Sequence, residues 1–309
     1  MKILANDRIS KKGIAILEKA GFEVHCIHVA PQQLQNYINQ NKIEVLLVRS
    51  ATKVRKELID NCPSLRIIGR GGSGMDNIDV EYARSQGRIV QNTPASSSQS
   101  VGELVMAHLF SLARFTYDSN REMPINGHSD FKRLKKKYGK GTELRGKTLG
   151  IIGFGRIGKS VAQYALGCGM RVICTDIFDV STKVSFRIEG FGEVSVDVEK
   201  VSLDALIEQS DAISIHIPKQ ADGSAVIGRE ELARMKGGVL LVNAARGGVI
   251  DEGALIQALD SGHVAGAAID VFENEPTPHT GLLTHAKIAL TPHIGAATVE
   301  AQDRIGVEL

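Results

Sequence analysis

The sequence predicts an α/β protein built from two parallel-sheet domains, and three observations carry that reading. Short apolar runs that read as buried strands alternate with helical patterns along most of the 309 residues, the rhythm of β-α-β units. One long helical pattern interrupts the rhythm. It starts at Ser96 and places Val101, Leu104, Val105, His108, Leu109, Leu112 and Phe115 at helical spacing. Beyond it, a glycine turn (Gly153-Phe154-Gly155-Arg156-Ile157-Gly158) joins an apolar strand pattern directly to a helix pattern. The expectation is two Rossmann/flavodoxin-like domains, residues 1–98 and 99–292, with a cleft between them.

Each element has a local reason. Lys2-Ile3-Leu4-Ala5 reads as a strand closing on Asn6-Asp7, which is not the pattern of a signal peptide. Ser10 is placed to cap a helix through Ile14, Leu17 and Ala20 that Gly21 stops. Phe22 to His28 reads as a strand, and Pro31 opens the next helix. Further strands are expected at Glu44–Arg49, Arg66–Ile68 and Arg88–Val90, before Pro94. Past the long helix, strands fall at Leu149–Ile152, Met170–Asp176, Ala212–Ile217, Gly238–Asn243, Val264–Asp270 and Lys287–Thr291.

Two stretches do not fit the alternation. Between 180 and 199, Val184, Phe186 and Ile188 alternate with polar residues, Gly190-Phe191-Gly192 follows, and Val194, Val196 and Val198 alternate again, a β-hairpin pattern. A surface insertion is the plain reading; a subunit contact or a cover near a bound nucleotide is the other. Residues 131–140 hold Lys132, Arg133, Lys135, Lys136, Lys137 and Lys140. A solvated basic face comes first, a contribution to an anionic site second, and nucleic acid last, because no aromatic residues interleave the charges.

Composition bounds the function. Hydrophobic residues make up 43% and charged residues 23%, ordinary for a soluble globular protein. Lys and Arg number 37 against 35 Asp and Glu, so no global field calls for nucleic acid or a membrane. No apolar run approaches the ~18 residues of a spanning helix. Cys26, Cys62, Cys168 and Cys174 form no C-x-x-C pair and lie mostly in apolar segments, so they read as reduced, buried thiols of a cytoplasmic protein.

The glycine turn has a physical job at each position. Gly153 makes the tight turn, Gly155 lets a pyrophosphate approach the backbone, and Gly158 lets helix and strand pack closely. The helix start offers unpaired N–H groups to the phosphates. Asp176 ends the next strand, eighteen residues past Gly158, where a carboxylate accepts ribose hydroxyls and repels a 2′-phosphate. The expected cofactor is NAD.

Three polar residues then fall just past strand ends in the same domain: Arg246, Glu275 and His293. Ligands of open α/β sheets bind at the carboxyl ends of strands. An imidazole is a natural acid/base for a hydroxyl that loses hydride from its carbon, a carboxylate can orient it, and an arginine can clamp a substrate carboxylate. No metal is called for. Taken singly, each has a plainer explanation: a structural histidine, a capping arginine, an acidic surface loop.

At these residues the chain resembles the D-2-hydroxyacid dehydrogenase family. The matching blocks are Gly150 to Gly158, Val242-Asn243-Ala244-Ala245-Arg246-Gly247-Gly248, Asp270-Val271-Phe272-Glu273-Asn274-Glu275-Pro276 and Thr291-Pro292-His293-Ile294-Gly295-Ala296. The resemblance implies that Arg246, Glu275 and His293 are catalytic, with the active site in the cleft between the domains. It implies that the cofactor site takes in Gly153, Gly155, Arg156, Ile157, Gly158, Asp176, His216, Ile217, Pro218, Ala244, Ala245, Asp270, Gly295, Ala296 and Ser73, with Asp270 supporting the nicotinamide. It implies that residues 293–309 return to complete the first domain, and that the protein is a homodimer or homotetramer.

Blocks at Val48 to Lys53, Gly69 to Asp79 and Gly141 to Thr148 are similar to family members that act on a phosphorylated 2-hydroxy acid. By that resemblance Arg49, Ser50 and Arg70 line the substrate site, and the N–H groups of Gly71 and Gly72 receive the substrate carboxylate. Surface charge is the alternative for both arginines. Two rival functions stand beside this one: a reductase of glyoxylate, hydroxypyruvate or another D-2-hydroxy acid, and an NADH-sensing corepressor-like binding protein. Long relatives carry regulatory domains after the histidine motif, and this chain ends at Leu309, so feedback inhibition through such a domain is not expected.

Overall fold

A computed structural model describes residues 1–309, and the chain divides into two compact units: residues 1–100 with 296–309, and residues 101–295. No helix is long and apolar enough to cross a membrane.

The first unit alternates strictly: β1 (Lys2–Ala5), α1 (Lys11–Lys19), β2 (Glu23–His25), α2 (Pro31–Asn41), β3 (Val45–Val48), α3 (Lys56–Asn61), β4 (Ile67–Arg70), α4 (Val80–Ser85) and β5 (Ile89–Asn92). Its sheet is parallel throughout, in the order β2-β1-β3-β4-β5. All four residues of β3 are buried, which is why that strand reads as an unbroken apolar run. Ser10 caps α1 by accepting from the Gly13 N–H. β2 is shorter than the Phe22–His28 run, because the chain leaves the sheet edge after His25. Cys26 therefore lies exposed outside the strand, against the expectation of a buried thiol; Cys62 and Cys174 are buried, Cys168 is half-buried, and all four are free. Burial pushes the Cys62 and Cys174 thiols up to about 11.

The last helix of the chain, α12 (Val299–Glu308), belongs to this unit and packs on α1. Two glycines make the contact possible. A Cβ on Gly13 would lie 2.3 Å from the Gly306 carbonyl oxygen, and one on Gly306 would lie 2.2 Å from Ser10 Oγ.

The second unit begins at Val101, within α5 (Ser98–Arg114), the expected long helix. It ends at Phe115, which takes a left-handed φ of 55° and turns the chain into α6 (Thr116–Tyr138). The sequence pattern gave no sign of α6, because Pro124 and Gly127 disfavour helix and the backbone leaves helical geometry at Asp130. The basic run lies along this helix. Arg133 pairs with Asp130 and Glu122, and Lys137 with Asp118 and Glu122.

After that come β6 (Thr148–Ile152), α7 (Arg156–Gly167), β7 (Arg171–Thr175), β8 (Lys183–Ile188), β9 (Gly192–Asp197), β10 (Glu199–Lys200), α8 (Leu203–Gln209), β11 (Ala212–Ile215), α9 (Arg229–Arg234), β12 (Val239–Asn243), α10 (Glu252–Asp260), β13 (Val264–Ile269), α11 (Thr280–Thr284) and β14 (Ile288–Leu290). Seven strands form one parallel sheet in the order β10-β7-β6-β11-β12-β13-β14. That is the doubly wound arrangement, with its switch point between β6 and β11. The hairpin is real: β8 and β9 pair antiparallel from Lys183↔Asp197 to Ile188↔Gly192. Val184 is buried beneath it, and Gln163 on α7 donates to the Ser185 carbonyl at 2.7 Å.

Candidate active site

The glycine turn leaves β6 at the switch point. Gly153 has φ +90°, a conformation that costs an ordinary residue about 1–2 kcal/mol. A Cβ there would also lie 2.6 Å from the His216 carbonyl oxygen, just past β11. Phe154 is fully buried, which anchors the turn by about 1.5–3 kcal/mol. A Cβ on Gly158 would lie 2.3 Å from the Gly153 carbonyl oxygen, so α7 approaches its own strand as closely as glycine allows.

Gly155 differs from both: nothing stands within 4 Å of an added Cβ. It is the N-cap of α7 and makes no side-chain cap, so the N–H groups of the helix's first turn are left without one. Arg156 is exposed and Ile157 half-buried. Asp176 stands at the end of β7. Its Oδ2 accepts the Phe154 N–H at 2.7 Å and its Oδ1 the Phe178 N–H at 3.0 Å, leaving one lone-pair direction on each oxygen. Uncapped helix start, open glycine and carboxylate form a cradle that fits a dinucleotide.

His216 stands just past β11. Its Nε2 lies 2.8 Å from Ser214 Oγ, and its Nδ1 is sealed from solvent without a partner. Burial pushes its pKa down to about 3, so the ring is neutral, and what this residue gives the glycine turn is its main chain. Ile217 is half-buried beside Gly153, and Pro218 is exposed.

The next three strands in the sheet, β12, β13 and β14, end in the loops that carry Arg246, Glu275 and His293. Asn243, at the end of β12, closes the first loop: its Oδ1 accepts the Ala245 N–H at 3.1 Å and its Nδ2 donates to the Arg246 carbonyl at 2.9 Å. Ala244 and Ala245 are buried beneath it. Arg246 Nη1 donates to the Ala245 carbonyl at 2.6 Å. The Arg246 loop touches the Glu275 loop at Gly247, where a Cβ would lie 1.9 Å from the Phe272 carbonyl oxygen.

Glu275 splits its oxygens between two donors. Oε1 accepts the Phe272 N–H at 2.9 Å, and Oε2 lies 2.8 Å from His293 Nδ1. The imidazole Nε2 is thus left for a reacting proton. His293 holds a left-handed φ of 55°, a conformation that surrounding contacts must impose. Those contacts come from Asp270, only 1% exposed, which accepts the Thr291 hydroxyl at 2.6 Å and the Ile294 N–H at 2.8 Å on Oδ1, and the Gly295 N–H at 2.9 Å on Oδ2. Asp270 thus holds this loop, with one acceptor direction left on Oδ2. Thr291 and its partner His108 were not singled out in the sequence. Their separation of 183 residues leaves no local signal.

In the first unit, β3 and β4 are neighbours, with Val48 opposite Arg70, so Arg49 and Arg70 lie at adjacent strand ends. Asp7 organises the Arg49 loop by accepting the Arg49 N–H at 2.6 Å, the Thr52 N–H at 3.1 Å and the Thr52 hydroxyl at 2.7 Å. Asn77 donates to the Arg49 carbonyl at 2.7 Å. Arg49 Nε is buried without a partner, and burial draws the guanidinium pKa down against the pull of Asp7. Arg70 Nη1 donates to the Gly71 carbonyl at 3.1 Å and lies over Gly72, where a Cβ would stand 1.6 Å away. Ser50 is exposed.

The carboxylate donors need correction. The Gly71 N–H goes to the Val48 carbonyl at 2.8 Å and the Gly72 N–H to Thr93 Oγ1 at 2.6 Å. In this loop the N–H groups of Ser73, Gly74, Met75 and Asn77 have no acceptor within the chain. Ala296, half-buried, accepts from Gln302 Nε2 at 2.5 Å at the start of the returning segment.

Known proteins share this organisation. A family model described as D-isomer specific 2-hydroxyacid dehydrogenase, NAD binding domain, matches residues 106–295. A hydroxypyruvate reductase of Thermotoga maritima is 41% identical over 312 residues, covering 100% of this chain and 95% of the relative. A D-3-phosphoglycerate dehydrogenase of Methanocaldococcus jannaschii is 40% identical over 306 residues, covering 99% of this chain; the chain spans only 55% of that relative's length. Among solved structures, a glyoxylate reductase from Paecilomyes thermophila superposes with a TM-score of 0.79 at 30% identity, over 98% of this chain and 91% of its own.

Proposed function

This chain belongs to the family of D-isomer-specific 2-hydroxyacid dehydrogenases and uses NAD, and from that premise we propose that it oxidises 3-phospho-D-glycerate to 3-phosphohydroxypyruvate, the first step of serine synthesis. The observation that carries the substrate is the pair Arg49 and Arg70 on adjacent strand ends, where Arg49 Nε is buried without a partner. Burying guanidinium groups is costly without an anion to receive their N–H donors, and a phosphorylated acid brings the negative charge that an unphosphorylated one lacks.

When bound, the nicotinamide supplies the acceptor for the hydride leaving C2. The chain's residues handle the rest. His293 Nε2 takes the C2 hydroxyl proton, and Glu275, on the opposite ring nitrogen, fixes the tautomer and stabilises the charge the ring acquires. Arg246 holds the substrate carboxylate and the oxygen that becomes the carbonyl. The first turn of α7 would hold the cofactor's pyrophosphate and Asp176 its ribose. Asp270 acts through the His293 loop.

A second reading has its own support. The hydroxypyruvate reductase matches along nearly its whole length, whereas the phosphoglycerate dehydrogenase extends well past the match. Reduction of hydroxypyruvate or glyoxylate needs the same His293, Glu275 and Arg246 but no phosphate reader.

One experiment separates the two: NADH consumption with 3-phosphohydroxypyruvate beside hydroxypyruvate, for the wild type and for Arg49→Gln/Arg70→Gln. The phosphate reading expects a strong preference for the phosphorylated acid that the double variant loses, with the unphosphorylated rate little changed. Equal or reversed preference in the wild type assigns the protein to the hydroxypyruvate reductases.

A further inference from the structure

We propose that His108 is a positioning residue for the reaction: its ring N–H fixes the Thr291 hydroxyl, Thr291 fixes the Asp270 carboxylate, and Asp270 clamps the loop that presents His293. The inference rests on the reading of His293 as the acid/base.

His108 lies in the middle of α5 and is only 6% exposed, among Val105, Leu109 and Leu112 of the same helix. An aliphatic residue would pack there without the cost of desolvating an imidazole. The ring has one polar contact that matters to the site: Nε2 lies 3.1 Å from Thr291 Oγ1, which lies 2.6 Å from Asp270 Oδ1.

Proton counting sets the direction of this chain. A carboxylate only accepts, and a threonine hydroxyl has one proton to give. Thr291 therefore donates to Asp270 and must accept from His108, which places the imidazole proton on Nε2. Burial draws the His108 pKa down against the opposing pull of Asp270, which favours the singly protonated ring.

The end of the chain is the loop under His293. Asp270 takes the N–H groups of Ile294 and Gly295, and the Thr291 carbonyl accepts the His293 N–H at 3.1 Å. His293 sits between these anchors at φ 55°, where a non-glycine residue stays only if its neighbours hold it. Without the His108 N–H, the Thr291 hydroxyl gains rotational choice, Asp270 loses a fixed donor, and the His293 loop relaxes away from Glu275.

The test compares wild type, His108→Leu and His108→Gln, with His293→Ala alongside. Leucine keeps the packing and removes the donor; glutamine restores an N–H that can reach Thr291. Amide hydrogen exchange at Ile294 and Gly295, measured without substrate, reads the clamp directly. We expect about tenfold faster exchange at these two amides in His108→Leu, with the rest of the sheet unchanged. We also expect kcat to fall about tenfold while both KM values change less than about threefold, and glutamine to restore exchange and kcat. Wild-type exchange and kcat in His108→Leu would overturn the proposal. So would a loss that glutamine does not repair and that comes with faster exchange throughout the unit, since that marks a packing defect. If His293→Ala keeps full turnover, the acid/base reading fails on its own, while the exchange data still decide the clamp.

Discussion

The sharpest test of the mechanism is Glu275→Gln, because the structure states what the substitution removes. Glu275 gives one oxygen to the Phe272 N–H at 2.9 Å and the other to His293 Nδ1 at 2.8 Å. Glutamine has the same shape but a single acceptor oxygen. It can satisfy Phe272 or His293, and its NH2 group cannot accept from either. The negative charge beside the imidazole disappears as well. Two unit charges 4 Å apart interact by about 4 kcal/mol at the effective dielectric of a protein surface. Here the histidine side chain is 48% exposed and the glutamate 36%, so solvent screens much of that. Charge-assisted hydrogen bonds contribute about 1.5–3 kcal/mol net, and the exposure argues for the lower end. The expected loss is therefore about 1.5–2 kcal/mol of transition-state stabilisation, roughly ten- to thirtyfold in kcat/KM. NADH consumption under limiting keto acid measures it, with thermal unfolding as the control for folding. A variant that kept kcat/KM within twofold of wild type while folding normally would refute the assignment of Glu275 as the partner of a charged His293.

The remaining predictions concern stability and the cofactor cradle. Burial holds the His216 pKa down to about 3, well below an ordinary imidazole, so the unfolded chain binds its proton more readily. The stability this group contributes is complete above pH 6.5 and is lost as pH falls from there toward 3, by up to about 1.4 kcal/mol per unit. Urea unfolding of wild type and His216→Asn at pH 7 and pH 5 should show their difference narrowing by about 2 kcal/mol; parallel curves would contradict it. The two glycine loops should respond oppositely to alanine. Gly155→Ala meets open space and should leave the melting temperature alone while weakening NADH binding, whereas Gly247→Ala meets the Phe272 carbonyl at 1.9 Å and should destabilise by about 1–3 kcal/mol and displace the Glu275 loop. Calorimetry with NADH and thermal unfolding of both variants checks the pair.

Much of this was legible because parallel strands buried on both faces are continuous apolar runs: Val45–Val48, Thr148–Ile152 and Ala212–Ile215 are buried along their whole length. The glycine turn was legible because its spacing encodes contacts, close packing at Gly158 and openness at Gly155. The failures have equally local causes. α6 was hidden by Pro124 and Gly127. Gly71 and Gly72 were chosen as donors because a linear sequence does not show which N–H groups the fold consumes, here by Val48 and Thr93. His108 and Thr291 meet only when α5 has packed on the sheet, and no spacing rule spans their separation.

What the topology adds is a division of labour. In the second unit, the switch point between β6 and β11 holds the cofactor cradle, and the next strand ends in order deliver Arg246, Glu275 and His293. In the first unit, the ends of β3 and β4 deliver Arg49 and Arg70. Each set is fixed by hydrogen bonds inside its own unit: Asp270 and Asn243 hold one, and Asp7 and Asn77 hold the loop bearing Arg49 in the other. Relatives named for glyoxylate, hydroxypyruvate and phosphoglycerate all match this chain, so the Arg49→Gln/Arg70→Gln variant, which leaves the histidine motif intact, is the perturbation that separates the readings of its substrate.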